Sequence, residues 1–199
     1  MPMLLVMEAL DSGKISLDDT VTTSTNAASK GGSQIWLEPG ESMTVDELLR
    51  ATVIGSANDA ATLLGEYVAG SETAFIDMMN SRAKEMKMNN THFENATGLD
   101  DTTDTHLTTA RDIGIMSCEL LKYDFIRDYT TVWMDSLRNG KTELVNTNKL
   151  VRFYSGTTGL KTGTTAKAGC CVSASAERDG LHLVAVVMGS DNSNDRFNT

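Results

Sequence analysis

The sequence predicts a single α+β domain, an antiparallel sheet with a helical subdomain, and three observations predict it. Apolar residues recur at helical spacing from Thr44 to Lys122. Two hairpin signals, Asn139-Gly140 and Asp179-Gly180, lie late in the chain, each flanked by strand-like runs. Helical patterns separate the early and late strand patterns instead of alternating with them, which disfavours a parallel α/β sheet. The 199 residues, 40% of them hydrophobic, suffice for one sizeable core, and the presence of only two prolines argues against a linker or disordered tail.

Met1 to Leu10 is apolar on almost every side, as a central helix would be, and Asp11-Ser12-Gly13 ends it with glycine at the usual stop position. The helix opens without a cap. A domain rarely opens inside its most buried helix, so residues preceding Met1 are expected to be missing. Ile15 to Thr23 reads as a turn and a short polar strand, and Ser29 to Ser33 as a glycine-rich loop, either a cleft lining or a plain surface loop. Thr44-Val45-Asp46-Glu47 has capping-box spacing and starts a helix through about Ile54.

Gly55 breaks that helix, and Ser56 opens another, Ala57 to Tyr67. Two readings of Ser56 stand open, a helix cap and a functional hydroxyl. Glu72 to Met88 carries Phe75, Ile76, Met79, Ala83 and Met86 at helical spacing, a core stripe. Thr91 to Asp104 is a polar loop flanked by His92 and His106, which read as surface or hydrogen-bonded histidines. Thr108 or Thr109 caps a helix through Lys122. Strands Thr130 to Leu137 and Thr142 to Val145 follow, then Asn146-Thr147-Asn148, Leu150 to Tyr154, the strand of Lys161, and the hairpin Cys170–Ala176 and Leu181–Gly189.

The net charge of −10 disfavours nucleic acid as a partner, because phosphate binding needs a basic face. A local cationic pocket can still take an anionic small molecule. Cys118, Cys170 and Cys171 lack metal-ligand spacing and read as small core or strand residues, with Cys170 and Cys171 on opposite faces of a strand. No metal or cofactor is expected. Met1 to Leu10 lacks the basic flank and small-residue cleavage site of a signal peptide, and no run approaches a membrane span.

Lys161-Thr162-Gly163 stands on or just before the strand entering the last hairpin. A lysine there can hold a carboxylate, a threonine hydroxyl can bond it, and Gly163 leaves room for a substrate against the strand. Upstream, Ser56-Ala57-Asn58 sits at a helix entrance, and Ser-x-Asn before Lys-Thr-Gly is the order found in penicillin-recognising serine enzymes. With Leu10 to Lys14, Gly31-Gly32-Ser33, Tyr67 to Gly70, Asn95 to Leu99, Thr109 to Asp112 and Gly159 to Thr165, the chain resembles the D-alanyl-D-alanine carboxypeptidases of the low-molecular-weight penicillin-binding proteins along nearly its whole length.

That resemblance implies the serine β-lactamase/penicillin-binding-protein transpeptidase-like fold with its N-terminal strands missing, residues 1–199 forming one incomplete catalytic domain. It implies acyl transfer through a serine ester that removes the terminal D-alanine from peptidoglycan stem peptides ending in D-Ala-D-Ala, with β-lactams as inhibitors. The complete protein is expected on the extracytoplasmic face of the envelope, associated with membrane only through parts absent from these residues. Ser56 would relay a proton to the leaving amine and Asn58 would orient the catalytic lysine and the substrate amide. Lys161 would supply positive potential and Thr162 a hydroxyl for the substrate carboxylate. The Thr164 amide would form half of the oxyanion hole and Arg196 would assist carboxylate recognition.

The family's Ser-x-x-Lys motif, which supplies nucleophile and base, aligns just upstream of Met1, so the chain as given is expected to be inactive. Ser81-Arg82-Ala83-Lys84 has that spacing but follows Ser56-Ala57-Asn58 instead of preceding it and lies late in an amphipathic helix. Thr158 stands where an acid often precedes Gly159, and Thr147 where some members carry arginine. A class A β-lactamase fits less well, since Ser56-Ala57-Asn58 lacks the central aspartate and no deacylating glutamate motif intervenes. The alternative from a different class is a non-catalytic protein that binds peptidoglycan peptides or β-lactams.

Overall fold

The computed structural model describes Met1–Asn198; Thr199 lies outside the described residues. Helix α1 (Pro2–Asp11) buries Leu4, Leu5, Val6, Met7 and Ala9, so the run that is apolar all round has protein all round. Strand β1 (Thr20–Thr22), the short α2 (Thr25–Ala28) and β2 (Ser42–Thr44) follow, with β1 and β2 paired antiparallel. Helix α3 (Val45–Val53) starts at the predicted box: Thr44 Oγ1 accepts from the Glu47 amide and Glu47 accepts from the Thr44 amide. Helices α4 (Asn58–Ala69), α5 (Glu72–Glu85) and α6 (Ala110–Leu120) complete the helical part, and Thr109 caps α6 through the Asp112 amide.

A 3-10 turn (Asp124–Ile126) runs into α7 (Arg127–Thr130), then the hairpin β3 (Met134–Leu137) and β4 (Thr142–Val145) and the short α8 (Leu150–Phe153). The main sheet has the order β5 (Thr157–Thr165), β6 (Gly169–Arg178), β7 (Leu181–Ser190), all antiparallel, and α9 (Asp195–Asn198) ends the described chain. Asp179 and Gly180 both have positive φ, 50° and 77°, as a two-residue turn matched to strand twist requires.

The core joins α1, α3, α4 and α5 through Leu4, Met7, Leu48, Leu49, Leu63, Leu64, Phe75 and Met79, all nearly inaccessible to solvent. Burying each such side chain contributes roughly 1.5–3 kcal/mol, which fixes the helical part as a rigid body. Helix α1 packs on α4 and α6, while α6 lies against β6 and β7, where Ser117 and Ser173 share a hydroxyl hydrogen bond of 2.7 Å. The Lys161 strand, β5, is thereby held across a gap from the N-terminus of α4.

Several boundaries differ from the sequence reading. The helix after Gly55 begins at Asn58 and not Ala57, the one after it ends at Glu85, Thr130 ends a short helix where a strand was expected to start, and Leu150–Phe153, for which no element was read, is a short helix. Cys118 is exposed on α6 and is not a core residue. Cys170 is buried and Cys171 half-buried, in keeping with the opposite faces expected of neighbouring strand residues, and the register irregularity between β6 and β7 beside them has its extra residue on β7. Among the described residues no helix is long and apolar enough to cross a membrane.

Candidate active site

Ser56 sits two residues ahead of α4 with φ 59°, a left-handed conformation that an L-residue adopts only when its surroundings impose it. Helix α4 has Ala57 at its cap with no side-chain cap hydrogen bond, so the capping reading of Ser56 falls away and its hydroxyl remains for other use. That hydroxyl accepts from Lys161 Nζ at 2.6 Å, bridging a separation of 105 residues. Asn58 donates from its amide to Ser33 O and from Nδ2 to Gly31 O, both at 2.8 Å, which ties the glycine-rich loop to the same helix entrance. A Cβ on Gly32 would lie 2.6 Å from Asn58 Nδ2, so only glycine lets that loop close over the amide.

On the opposite wall Lys161 Nζ also donates to Thr162 O at 2.9 Å. Burial, and secondarily the nearby Arg196 guanidinium, push its pKa down from 10.5 to about 8. Nothing lies within 4 Å of a Cβ built on Gly163, so the strand there presents bare backbone to open space, as expected for a ligand lying along it. Arg196 is buried against the strand, with Nη1 donating to Gly163 O, Thr164 Oγ1 and Cys171 O at 3.2, 3.1 and 3.3 Å. Thr162 is buried too, and its hydroxyl is turned to Thr147 Oγ1 at 2.6 Å. Ser56, Asn58, Lys161, Thr162, Gly163, Thr164 and Arg196 all line one cavity of about 890 Å³, as does Met1 at the start of α1.

The arrangement concentrates two cations beside a hydroxyl and a bare strand edge, a place for an anionic, peptide-like ligand. Ser81 and Lys84 are exposed on α5 and are not among the residues that line this cavity. Sequence reasoning assigned no role to Asp59 or Asp100. Asp59, fully buried, accepts from the Ile35 and Leu37 amides at 3.3 and 3.0 Å and so fixes the segment after the glycine-rich loop. Asp100 accepts from Thr165 Oγ1 at 2.7 Å and anchors the end of β5.

The lowered Lys161 pKa has a measurable consequence. Between pH about 8 and 10.5 the unfolded chain keeps a proton that the folded chain has released. Unfolding free energy contributed by this group therefore rises with pH across that window, and its penalty is complete below it. Lys161→Met removes the penalty, so the variant's stability relative to wild type is expected to fall by on the order of 2 kcal/mol as pH rises through the window, less than the full shift because Lys161 keeps some solvent contact. Urea unfolding of both chains across that range measures it, and a pH-independent difference would contradict the burial of this cation.

A family model described as D-alanyl-D-alanine carboxypeptidase matches residues 1–192. The chain is 49% identical over 199 residues to the D-alanyl-D-alanine carboxypeptidase DacF of Bacillus subtilis (strain 168), covering 98% of this chain and 51% of that protein. It is 35% identical to DacC of Escherichia coli (strain K12), with 98% and 50% covered. It thus spans about half the length of these relatives. Among solved structures, penicillin-binding protein 5 from Haemophilus influenzae superimposes with TM-score 0.89 at 28% identity, covering 98% of this chain and 58% of the other. Penicillin-binding protein D2 from Listeria monocytogenes in its ampicillin-bound form gives TM-score 0.87 at 29% identity, covering 99% and 79%. The fold is therefore that of the penicillin-binding proteins, α+β as predicted, and with residues 1–192 matched by the family model the chain belongs to the D-alanyl-D-alanine carboxypeptidase family.

Proposed function

We propose that the complete protein is a serine-type D-Ala-D-Ala carboxypeptidase that removes the terminal D-alanine from peptidoglycan stem peptides, and that residues 1–199 are part of its catalytic domain. It works on the extracytoplasmic face of the envelope and is acylated by β-lactams. The observation that carries this reading is the 2.6 Å contact between Lys161 Nζ and Ser56 Oγ, which joins the Ser-x-Asn and Lys-Thr-Gly motifs at one cleft.

The nucleophile is a serine of a Ser-x-x-Lys motif joined to the N-terminal end of α1, a placement supported by Met1 lining the cavity with Ser56 and Lys161. Its Oγ attacks the carbonyl carbon of the penultimate D-alanine, and its proton passes through the motif's lysine and Ser56 to the leaving amine. The serine ester forms as the peptide C–N bond breaks, and water then cleaves the ester. Asn58 orients the motif's lysine and the substrate amide. Gly163 lets the peptide lie along β5, the Thr164 amide faces the oxyanion, and Lys161 and Arg196 hold the terminal carboxylate, with Thr162 supplying a hydroxyl if it turns from Thr147.

Mass-spectrometric detection of D-alanine released from a D-Ala-D-Ala pentapeptide by the complete protein tests the reading, and the absence of both release and a penicillin adduct would refute it. Arg196→Ala is expected to lower kcat/KM for that peptide roughly ten- to a hundredfold, or about 1.5–3 kcal/mol for a lost charge-assisted hydrogen bond. Because Arg196 also braces Gly163 and Cys171, Arg196→Lys is the companion variant. It keeps the charge without the planar fork, so its partial recovery separates carboxylate recognition from strand support.

A further inference from the structure

A second cavity, about 540 Å³, lies apart from the cleft and is lined by Ile35, Trp36, Glu38, Glu41, Arg138 and Thr142. Its two most prominent walls are strained. Trp36 has φ 59° and Arg138 φ 52°, positions where bulky L-residues are rare. Trp36 is also 75% exposed although its neighbours Ile35 and Leu37 are 3% and 4% exposed. The Asp59 carboxylate takes the amides on either side of it, Ile35 and Leu37, while Arg138 Nη1 donates to Ile35 O at 2.8 Å. The backbone is thus clamped from two sides in the one conformation that holds the indole out in solvent. Packing does not require an exposed ring there, and strain kept up by a dedicated clamp marks a functional surface.

The neighbours define the ligand chemistry. Arg138 Nε and Nη2 hold Glu41 Oε1 and Oε2 at 2.7 and 2.9 Å, so the guanidinium is already neutralised, and Nη1 also donates to Thr142 Oγ1 at 3.0 Å. With Glu38 beside them, the rim carries no uncompensated cation, which disfavours a phosphate or an anionic lipid surface. A flat aromatic face beside fixed carboxylate, guanidinium and hydroxyl groups suits a neutral ring with an apolar C–H face and an edge of hydroxyl and amide groups. We propose that Trp36, Glu41, Arg138 and Thr142 form a saccharide subsite in which a sugar ring stacks on the indole and its edge hydrogen-bonds to the charged shelf. The Asp59 clamp is the residue after Asn58, so the segment that carries Trp36 and the helix entrance at the cleft are tied to the same turn of α4. The subsite's assignment to the acetamido sugars that bear stem peptides rests on the carboxypeptidase reading; the sugar binding itself does not.

The test uses the 199-residue chain and a peptide-free β-1,4-linked N-acetylglucosamine trisaccharide, followed through the indole N–H signals of the two tryptophans, with Trp133→Phe assigning them. The Trp36 signal is expected to shift saturably, with Kd on the order of 1 mM, while the Trp133 signal stays in place. Trp36→Gly is expected to abolish binding with an unchanged or higher melting temperature, because glycine adopts that φ without strain. A Trp36 signal that does not move, binding that survives Trp36→Gly, or a response to anionic vesicles and not to the sugar would overturn the proposal. Because the probe has no peptide, sugar binding by this chain with no D-alanine release by the complete protein would sink only the carboxypeptidase reading, and release by the complete protein with no sugar binding would sink only this one.

Discussion

Lys161→Ala in the complete protein is expected to slow acylation by penicillin by roughly two to four orders of magnitude while leaving the fold intact. Two contributions vanish together. The ammonium donates to Ser56 Oγ at 2.6 Å, and in its absence that hydroxyl loses the partner that orients it for proton transfer. In the proposed mechanism the same ammonium, near the Arg196 guanidinium, also supplies positive potential for the ligand carboxylate. Each charge-assisted contact is worth about 1.5–3 kcal/mol, so losing two raises the barrier by about 3–6 kcal/mol, which sets the range of the rate effect. Time-resolved intact-mass measurement of the adduct gives the rate directly. An effect under about threefold would mean the Lys161–Ser56 contact is structural and would remove the observation on which the function rests.

How much of this was legible in the sequence depends on the range of the forces involved. The hairpin turn at Asp179-Gly180 and the Thr44–Glu47 box were readable because each is decided by residues within four positions of one another. The convergence of Ser56 and Lys161 came from motif order, not from any local rule. The left-handed backbone of Ser56 and Trp36 was invisible, since neither residue type favours it and each is held there by distant groups. For Trp36 those groups are Asp59, twenty-two residues beyond Leu37, and Arg138, a hundred and three beyond Ile35. Thr130 was read as the start of a strand because the run to Leu137 leads into the Asn139-Gly140 hairpin signal, yet it ends α7, and its hydroxyl donates to Thr158 O at 2.6 Å. Tertiary contact overrode the local signal in that case.

The other large effect is all or none and concerns which serine is acylated. The described residues offer two rivals to a serine ahead of Met1. Ser81 has the Ser-x-x-Lys spacing, but it and Lys84 are exposed on α5, while the intervening Arg82 is paired with Glu8 and Glu119 across the helix packing. A nucleophile there stands on an exposed helix face, outside the cavity that Lys161 and Arg196 line. Ser56 is the stronger rival, because its hydroxyl touches a lysine whose pKa is lowered to about 8, a plausible base near neutral pH. Its left-handed backbone, however, aims the hydroxyl at Lys161 and the cleft wall, and its place beside Asn58 suits a relay between a separate nucleophile and the leaving amine. The 199-residue chain is therefore expected to gain no mass on incubation with penicillin, whereas a version carrying a Ser-x-x-Lys motif ahead of Met1 gains one penicilloyl group on that motif's serine. A stoichiometric adduct on the shorter chain, mapped by peptide sequencing to Ser56, would make Ser56–Lys161 the nucleophile–base pair and reverse the roles proposed for the cleft; mapped to Ser81, it would move the active site to α5 altogether.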